Sequence, residues 1–215
     1  MKHGLRLVGL SVCITLLCGC AAPRDYTQYY EHFPQSILVI PPLNESTDIR
    51  ATYSVLSTMT RPLAERGYYV FPVAVVDQFL QENGLPTPGE MHQIPLDKVD
   101  RIIGADAVLY VTINDYGTKY LVVDSSTQVS LTARLVDVKT GIQLWSGHAV
   151  YSESSSGGGN NIIAAMIAAA LNQVIADTTD QAHSAAEEAS AQLISRSGHP
   201  MLNGPYHPEF KADWK

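Results

Sequence analysis

The stretch TQVSLTARLVDV, residues 127–138, repeats with a period of two: Val129, Leu131, Ala133 and Leu135 are apolar, and Gln128, Ser130, Thr132 and Arg134 between them are polar. Successive side chains of a strand point to opposite faces, so the pattern reads as a half-buried antiparallel strand, with one face on a core and the other in water. Three neighbouring runs are of the same kind: AVLYVTIND (107–115), KYLVVDS (119–125) and IQLWSGHAVYS (142–152). Turn residues separate them, and Lys139-Thr140-Gly141 reads as the hairpin turn into the last. An antiparallel meander of four strands is the expectation for this half of the chain.

Upstream the period changes. SILVI (36–40) is a continuous apolar run, the mark of a strand buried on both faces, and Pro41-Pro42 stops it. Through residues 50–66, Tyr53, Leu56, Met59 and Leu63 recur at helical steps, with Gly67 as the stop and Pro62 expected to kink or divide the helix. YYVFPV then reads as a second strand, Val76 to Asn83 as a short helix ended by Gly84, and LPTPGEMHQIP as a loop. In LDKVDRIIGAD, Leu96, Val99 and Ile103 share a helix face and Gly104 caps it. Beyond the Gly-rich SSSGGGNN, a stripe of Ile163, Ile167, Leu171, Val174, Thr178, Ala182, Ala185, Ala189 and Leu193 predicts one long helix over 162–194. Its alanine-rich half either packs closely or stands free. The order is strand-helix-strand-helix-helix, then the antiparallel meander and a long C-terminal helix: an α+β fold with helices packed on a mixed β-sheet.

The first residues carry Lys2 and Arg6 and then an uncharged apolar run, the n-region and h-region of a signal peptide. The run is shorter than the roughly 20 apolar residues of a permanent span. It ends in Leu17-Cys18-Gly19-Cys20, which resembles a bacterial lipobox, so cleavage is expected between Gly19 and Cys20, and Cys20 becomes the lipidated N-terminus. An ordinary secreted protein cleaved near Ala22 is the plainer reading, and Cys-Gly-Cys lacks the two-residue spacer of the usual redox motif. Cys13 and Cys18 lie in the part removed, which leaves Cys20 as the one thiol and no disulfide. The organisation read from the sequence is a lipoprotein signal peptide (1–19), a lipidated N-terminus and tether (20–34), one α+β domain (35–195) and a Pro-rich C-terminal tail (196–215). Tyr26, Tyr29 and Tyr30 in the tether either pack on the domain or sit among lipid heads.

The net charge is −7, and loss of Lys2 and Arg6 leaves 12 basic against 21 acidic residues, a net −9. That sign opposes nucleic acid and anionic lipid heads, so membrane attachment falls to acyl chains on Cys20. Catalytic signals are thin. SSSGGGNN lacks the Gly-Lys-Ser/Thr ending of a phosphate loop, and His32, His92, His148, His183 and His199 are scattered without an i,i+4 pair. No cofactor or metal is expected, though His199-Pro200 and His207-Pro208 offer weak metal donors in an otherwise extended tail. Asn44, Glu45, Ser46, Thr47 and Asp48 crowd polar groups after the first strand, where α/β folds bind ligands and where the next helix also needs capping.

The run from Ser36 to Pro95, with GADAVLYVTINDYGTKY and LVDVKTGIQLWSG, resembles a bacterial lipoprotein family of unknown function whose members include a meningococcal lipoprotein vaccine antigen. More loosely, the order of elements is similar to the amino-terminal domain of the Tol-system translocation protein and to curli-secretion-type lipoproteins. The resemblance implies a lipoprotein of the cell envelope with an envelope protein as partner, a curli-secretion-type lipoprotein among them. With the residues, it leads to an outer-membrane-anchored, non-catalytic accessory or scaffold subunit. A periplasmic carrier for a small or lipidic ligand is the alternative, to be recognised by an apolar pocket between sheet and helices, and a hydrolase is the third. The stripe Ile163, Ile167, Leu171 and Val174 exceeds what one sheet covers, so a homo-oligomer, a dimer, is expected through it. Ala21 in place of Asp after Cys20 directs the lipoprotein to the outer membrane.

Overall fold

A computed structural model describes residues 25–120, 125–154, 178–196 and 198–211. Its centre is strand β1 (Ser36–Val39), where Ile37, Leu38, Val39 and the following Ile40 are wholly buried. Such a run is buried on both faces because β1 lies inside a sheet with helices on either side, hydrogen-bonded in parallel to β3 (Tyr69–Val70) and β4 (Ala107–Tyr120). The short β2 (Leu43–Asn44) also pairs with β4 in parallel, at Thr112 and Ile113. From β4 the chain turns back into β5 (Ser125–Asp137) and β6 (Gln143–Ser154), both antiparallel. The sheet order is β3-β1-β4-β5-β6, a mixed sheet as expected.

The period of two holds in β5 from Leu131 to Leu135: Val129, Leu131, Ala133 and Leu135 are buried and Thr132 and Arg134 are exposed, whereas Ser130, read as facing water, is buried. The expectation of four strands needs correction. Of KYLVVDS, Lys119 and Tyr120 belong to the end of β4 and Ser125 to the start of β5, and Lys119 and Tyr120 pair with Ser126 and Ser125; residues 121–124 lie outside the described residues. Gly117, a turn residue by type, sits inside the ladder opposite Gln128 at φ +124°, and a bulge between Ile113 and Asp115 bends the strand without ending it.

One face of the sheet carries Ile37, Val39, Leu109, Val111, Ile113 and the buried side of β5. It is covered by α1 (Thr27–Glu31), α2 (Ala51–Glu65) and α6 (Thr178–Ala191), the last running on into a π-helical turn, Gln192–Arg196. Helix α2 is continuous; Pro62 is buried within it and does not divide it. Its inward face is Ala51, Val55, Leu56, Met59 and Leu63, whereas Tyr53, read as inward, is 53% exposed. Along α6 the stripe positions Ala182, Ala185, Ala189 and Leu193 are all buried, so the alanine-rich part packs closely. Small side chains let α6 approach α2, and Thr58 and Ser190, both buried, join their hydroxyls at 2.7 Å across the contact. Residues 155–177, with the Gly-rich stretch and the first half of the stripe, lie outside the described residues.

The other face, with Leu38, Ile40, Val108, Tyr110, Val136 and Val138, is covered at one end by α3 (Val73–Glu82), α4 (Pro88–Met91) and α5 (Leu96–Ile102). Helix α4 lies where the sequence reads as loop: Thr87 accepts the Glu90 amide and the Glu90 carboxylate accepts the Thr87 amide, a capping box with Pro88 at the first helical position.

Both flanks of the domain are drawn into the core. Tyr29 of α1 is fully buried, and its hydroxyl lies 2.6 Å from that of Tyr68. Tyr68 in turn donates to the Leu202 carbonyl at 2.7 Å. In the closing segment, residues 198–211, Met201, Leu202 and Asn203 are buried, Arg66 donates to Asn203 Oδ1 and Ser195 O, and Trp145 donates to His199 O. The approach depends on two glycines. A Cβ on Gly204 would lie 2.3 Å from the Gly67 carbonyl oxygen, and one on Gly67, at φ +82°, would lie 2.2 Å from the His207 amide nitrogen.

Candidate functional site

The polar loop after β1 is held by its own side chains. Asn44 Oδ1 accepts the Ser46 amide and hydroxyl at 2.9 and 2.7 Å, and Asn44 Nδ2 donates to the Asp48 carbonyl. Asp48 accepts the Arg50 amide at 2.9 Å and pairs with its guanidinium at 2.8 Å, contacts that hold its carboxyl below the ordinary value. Glu45 is anchored through its amide to Ile113 O and accepts Asn114 Nδ2 at 3.3 Å. Thr47 stands exposed. Four of the five residues thus serve the turn that carries the chain from β2 into α2.

Beside this loop lies a cluster that sequence reading missed. Tyr116 donates to Ser54 Oγ at 2.8 Å, and Ser54 Oγ shares a hydrogen bond of 2.9 Å with His183 Nδ1. Burial raises the Tyr116 hydroxyl above its ordinary value. A hydroxyl against an imidazole invites comparison with a nucleophile and its base. Here, however, Ser54 lies within the unbroken helix α2, its oxygen already accepts from Tyr116, and the other ring nitrogen is 3.9 Å from Glu187, outside hydrogen-bond reach. The cluster ties β4, α2 and α6 together. Ser54 and His183 are 129 residues apart, and no local pattern marks either.

The remaining imidazoles are apart from one another. His92 donates to the Pro41 carbonyl at 3.0 Å and sits edge-on to Tyr110, over which Arg134 stacks at 4.2 Å. Burial holds His92 below its ordinary value; the Pro41 carbonyl opposes this and Arg134 adds to it. His199 lies against Tyr26 with ring centroids 4.4 Å apart and planes tilted by 41°, and His207 Nδ1 accepts the Glu209 amide. Among the described residues no three His, Cys, Asp or Glu converge as metal ligands, and no helix is long and apolar enough to cross a membrane.

A cavity of about 490 Å³ lies among α3, α4 and α5. It is an open groove on the outer side of the helical layer, with Leu80, Leu85 and Ile94 along it and Phe79 and Ile102 at its edges. Gly19, Cys20, Ile163, Ile167, Leu171 and Val174 lie outside the described residues.

A sequence profile of the GNA1162-like lipoproteins matches residues 24–206. The chain belongs to the GNA1162-like lipoprotein family. The lipoprotein NMB1124/NMB1162 of Neisseria meningitidis serogroup B is 43% identical over 204 residues, 93% of this chain and 94% of its relative. The crystal structure of lipoprotein GNA1162 from Neisseria meningitidis superposes with a TM-score of 0.55 at 44% identity, over 66% of this chain and 99% of that one. A PelC dodecamer from Paraburkholderia phytofirmans is 18% identical with a TM-score of 0.47, over 74% and 84% of the two chains. Membership in this family places the chain among lipoproteins.

Proposed function

We propose that the protein is a non-catalytic lipoprotein of the outer membrane, held by acyl chains on Cys20, that serves as an accessory or scaffold subunit of a cell-envelope assembly. One observation carries this reading: the polar clusters that could do chemistry are engaged in holding the fold, from Asn44 to Asp48 and from Tyr116 through Ser54 to His183. Apolar side chains also stand exposed on α3 and α5, Val75, Phe79 and Ile102 among them. A carrier would hold its ligand between sheet and helices, where Leu109, Val111 and Leu56 are buried on one face and Leu38, Val108 and Leu80 on the other. Self-association through Ile163, Ile167, Leu171 and Val174 belongs to the same proposal.

The experiment is made in intact envelopes. A Cys20→Ala variant is expected to remain an unprocessed precursor, absent from the outer-membrane fraction, and to lose the stoichiometric partner that cross-linking recovers with the parent chain. A variant that is processed and sorted like the parent would remove the lipid-anchor reading. A parent chain that cross-links to nothing, itself included, would remove the scaffold reading.

A further inference from the structure

The face of the sheet that carries Leu38 and Tyr110 lies open beyond its helical cover: Thr132 and Arg134 of β5 and Ser146 and His148 of β6 are exposed. The strand register sets these residues in two rows across three strands, Tyr110-Arg134-Ser146 and Thr112-Thr132-His148. Side chains directly opposite one another share a face, and strands lie about 4.8 Å apart, so the two rows form one flat patch about 10 Å wide.

Arg134 is held in an unusual way for this molecule. Its guanidinium lies over the Tyr110 ring, 4.2 Å from the centroid, and that ring is fixed edge-on by His92, which donates to the Pro41 carbonyl at 3.0 Å. The stack engages the flat face of the guanidinium and leaves the N–H donors in its plane without an oxygen acceptor among the described residues. Every other arginine described has one: Arg50 has Asp48, Arg61 has Glu65, Arg101 has Asp97, Arg196 has Glu188, and Arg66 has Asn203 and the Ser195 carbonyl. The surroundings agree, since the charged group that acts on both His92 and Tyr110 is Arg134 and not a carboxylate. Glu45 is bonded to this face on the far side of Thr132, through Asn114 at 3.3 Å. Ser146 and His148 make no side-chain hydrogen bond among the described residues.

A planar fork of donors matches the paired oxygens of a carboxylate or a phosphate. Around it stand the hydroxyls of Thr112, Thr132 and Ser146 and the imidazole of His148, and the nearest exposed apolar side chain, Val150, lies one position beyond that row. The buried centre of a protein interface is apolar and aromatic, so this patch suits a hydroxyl-rich ligand better than a partner protein. The net charge of −7 repels anions at a distance, but salt screens that field within about 8 Å, and the local cation decides the contact.

We propose that the patch centred on Arg134 is a binding site for an oxoanion, the carboxylate or phosphate of a hydroxyl-rich ligand, with Ser146, Thr132 and His148 as neutral partners to its hydroxyls.

The full-length chain in zwitterionic nanodiscs is titrated by ligand-observed NMR with trigalacturonate and with glycerol 1-phosphate, each beside its neutral counterpart, galactotriose and glycerol. At least one anion is expected to bind about fivefold more tightly than its counterpart, the effect of one exposed charged contact. Arg134→Gln removes that preference, and Arg101→Gln leaves it. Ser146→Asp is the second variant: it keeps the Tyr110 stack, places a carboxylate opposite Arg134 within the chain, and should remove the preference as well. Trp145 fluorescence checks that the fold is retained. Whichever anion binds more tightly identifies the source, a sugar carboxylate or a phosphate, and either supports the site. No preference for either anion, or a preference that survives both variants, overturns the proposal. A tetraglutamate peptide held more tightly than both anions overturns it in favour of the acidic side chains of a protein.

Discussion

Removing the hydroxyl of Tyr68 should cost far more than removing that of Tyr29, although the two oxygens are bonded to each other at 2.6 Å. A carbonyl only accepts, so the Tyr68 proton goes to Leu202 O, 2.7 Å away, and Tyr29 must donate to the Tyr68 oxygen. Tyr29 is fully buried, and Tyr68 and Leu202 are each 4% exposed. In Tyr68→Phe the Tyr29 donor and the Leu202 acceptor both lose their partners in a dry interior, at about 1–3 kcal/mol each, so about 3–4 kcal/mol together. In Tyr29→Phe every remaining donor keeps its acceptor, and the loss is one ordinary hydrogen bond, about 1 kcal/mol. The double variant leaves only the Leu202 carbonyl unsatisfied and should cost about 2 kcal/mol, less than Tyr68→Phe alone. At roughly 2–4 °C per kcal/mol for a chain of this size, Tyr68→Phe lowers Tm by about 6–16 °C and Tyr29→Phe by about 2–4 °C. Urea unfolding followed by Trp145 fluorescence, with Trp214 replaced by Phe, measures all four corners of the cycle. Equal losses in the two single variants, or a double variant that costs their sum, would refute the assigned direction of the chain of hydrogen bonds.

Thr87→Ala removes the hydroxyl arm of the α4 capping box and leaves the residue 87 amide on Glu90, and is expected to lower stability by about 1 kcal/mol in the same assay; no change would mean that Pro88 and the Glu90 arm hold this turn. Gly204→Ala puts a methyl group against the Gly67 carbonyl, at an expected cost of about 1–3 kcal/mol, and residues 198–211 should become the first site of limited proteolysis. An unchanged cleavage pattern counts against that packing. His92 gives a pH dependence. Its folded value lies below the unfolded 6.5, so the fold disfavours the charged form: the contribution is intact above about pH 6.5 and is lost as pH falls through the lower folded value. Parent and His92→Gln chains should therefore differ in the slope of stability between about pH 7 and 5, with the parent falling more steeply; identical slopes would contradict it.

The parts of the fold that show in the sequence are those with a period. Val129 to Leu135 declared the antiparallel sheet, and SILVI declared a strand covered twice, because burial acts on every second residue in one case and on every residue in the other. Where a residue type has two uses, the reading slipped. Gly117 breaks a strand in most settings, yet here it occupies a ladder position next to a bulge. Thr-Pro-Gly-Glu (87–90) looks like loop by composition, although its first and last residues spell a capping box. Tyr53 and Val55 are both apolar and near one another on α2, and the tertiary packing, not the helix, chose Val55 for the core. Of the candidate site, the loop from Asn44 to Asp48 was legible as a set of capping types. The Ser54, Tyr116 and His183 cluster was not, since its members come from three elements that only the sheet brings together. Likewise Met201 and Leu202 sit in a stretch without periodicity, and their burial is set by Tyr68, Arg66 and Trp145, far earlier in the chain.

The last stretch of the chain completes the first. Tyr26 donates to the carbonyl of Pro200, 174 residues later, and the pocket that receives Tyr29 is closed by Leu202. Contacts of such separation form only after the intervening chain has been made. While the polypeptide is still growing, α1 has no lid, Tyr29 has no finished seat, and Arg66 awaits Ser195 and Asn203. The topology thus postpones the closing of α1 and Arg66 until residues 195–203 have been made.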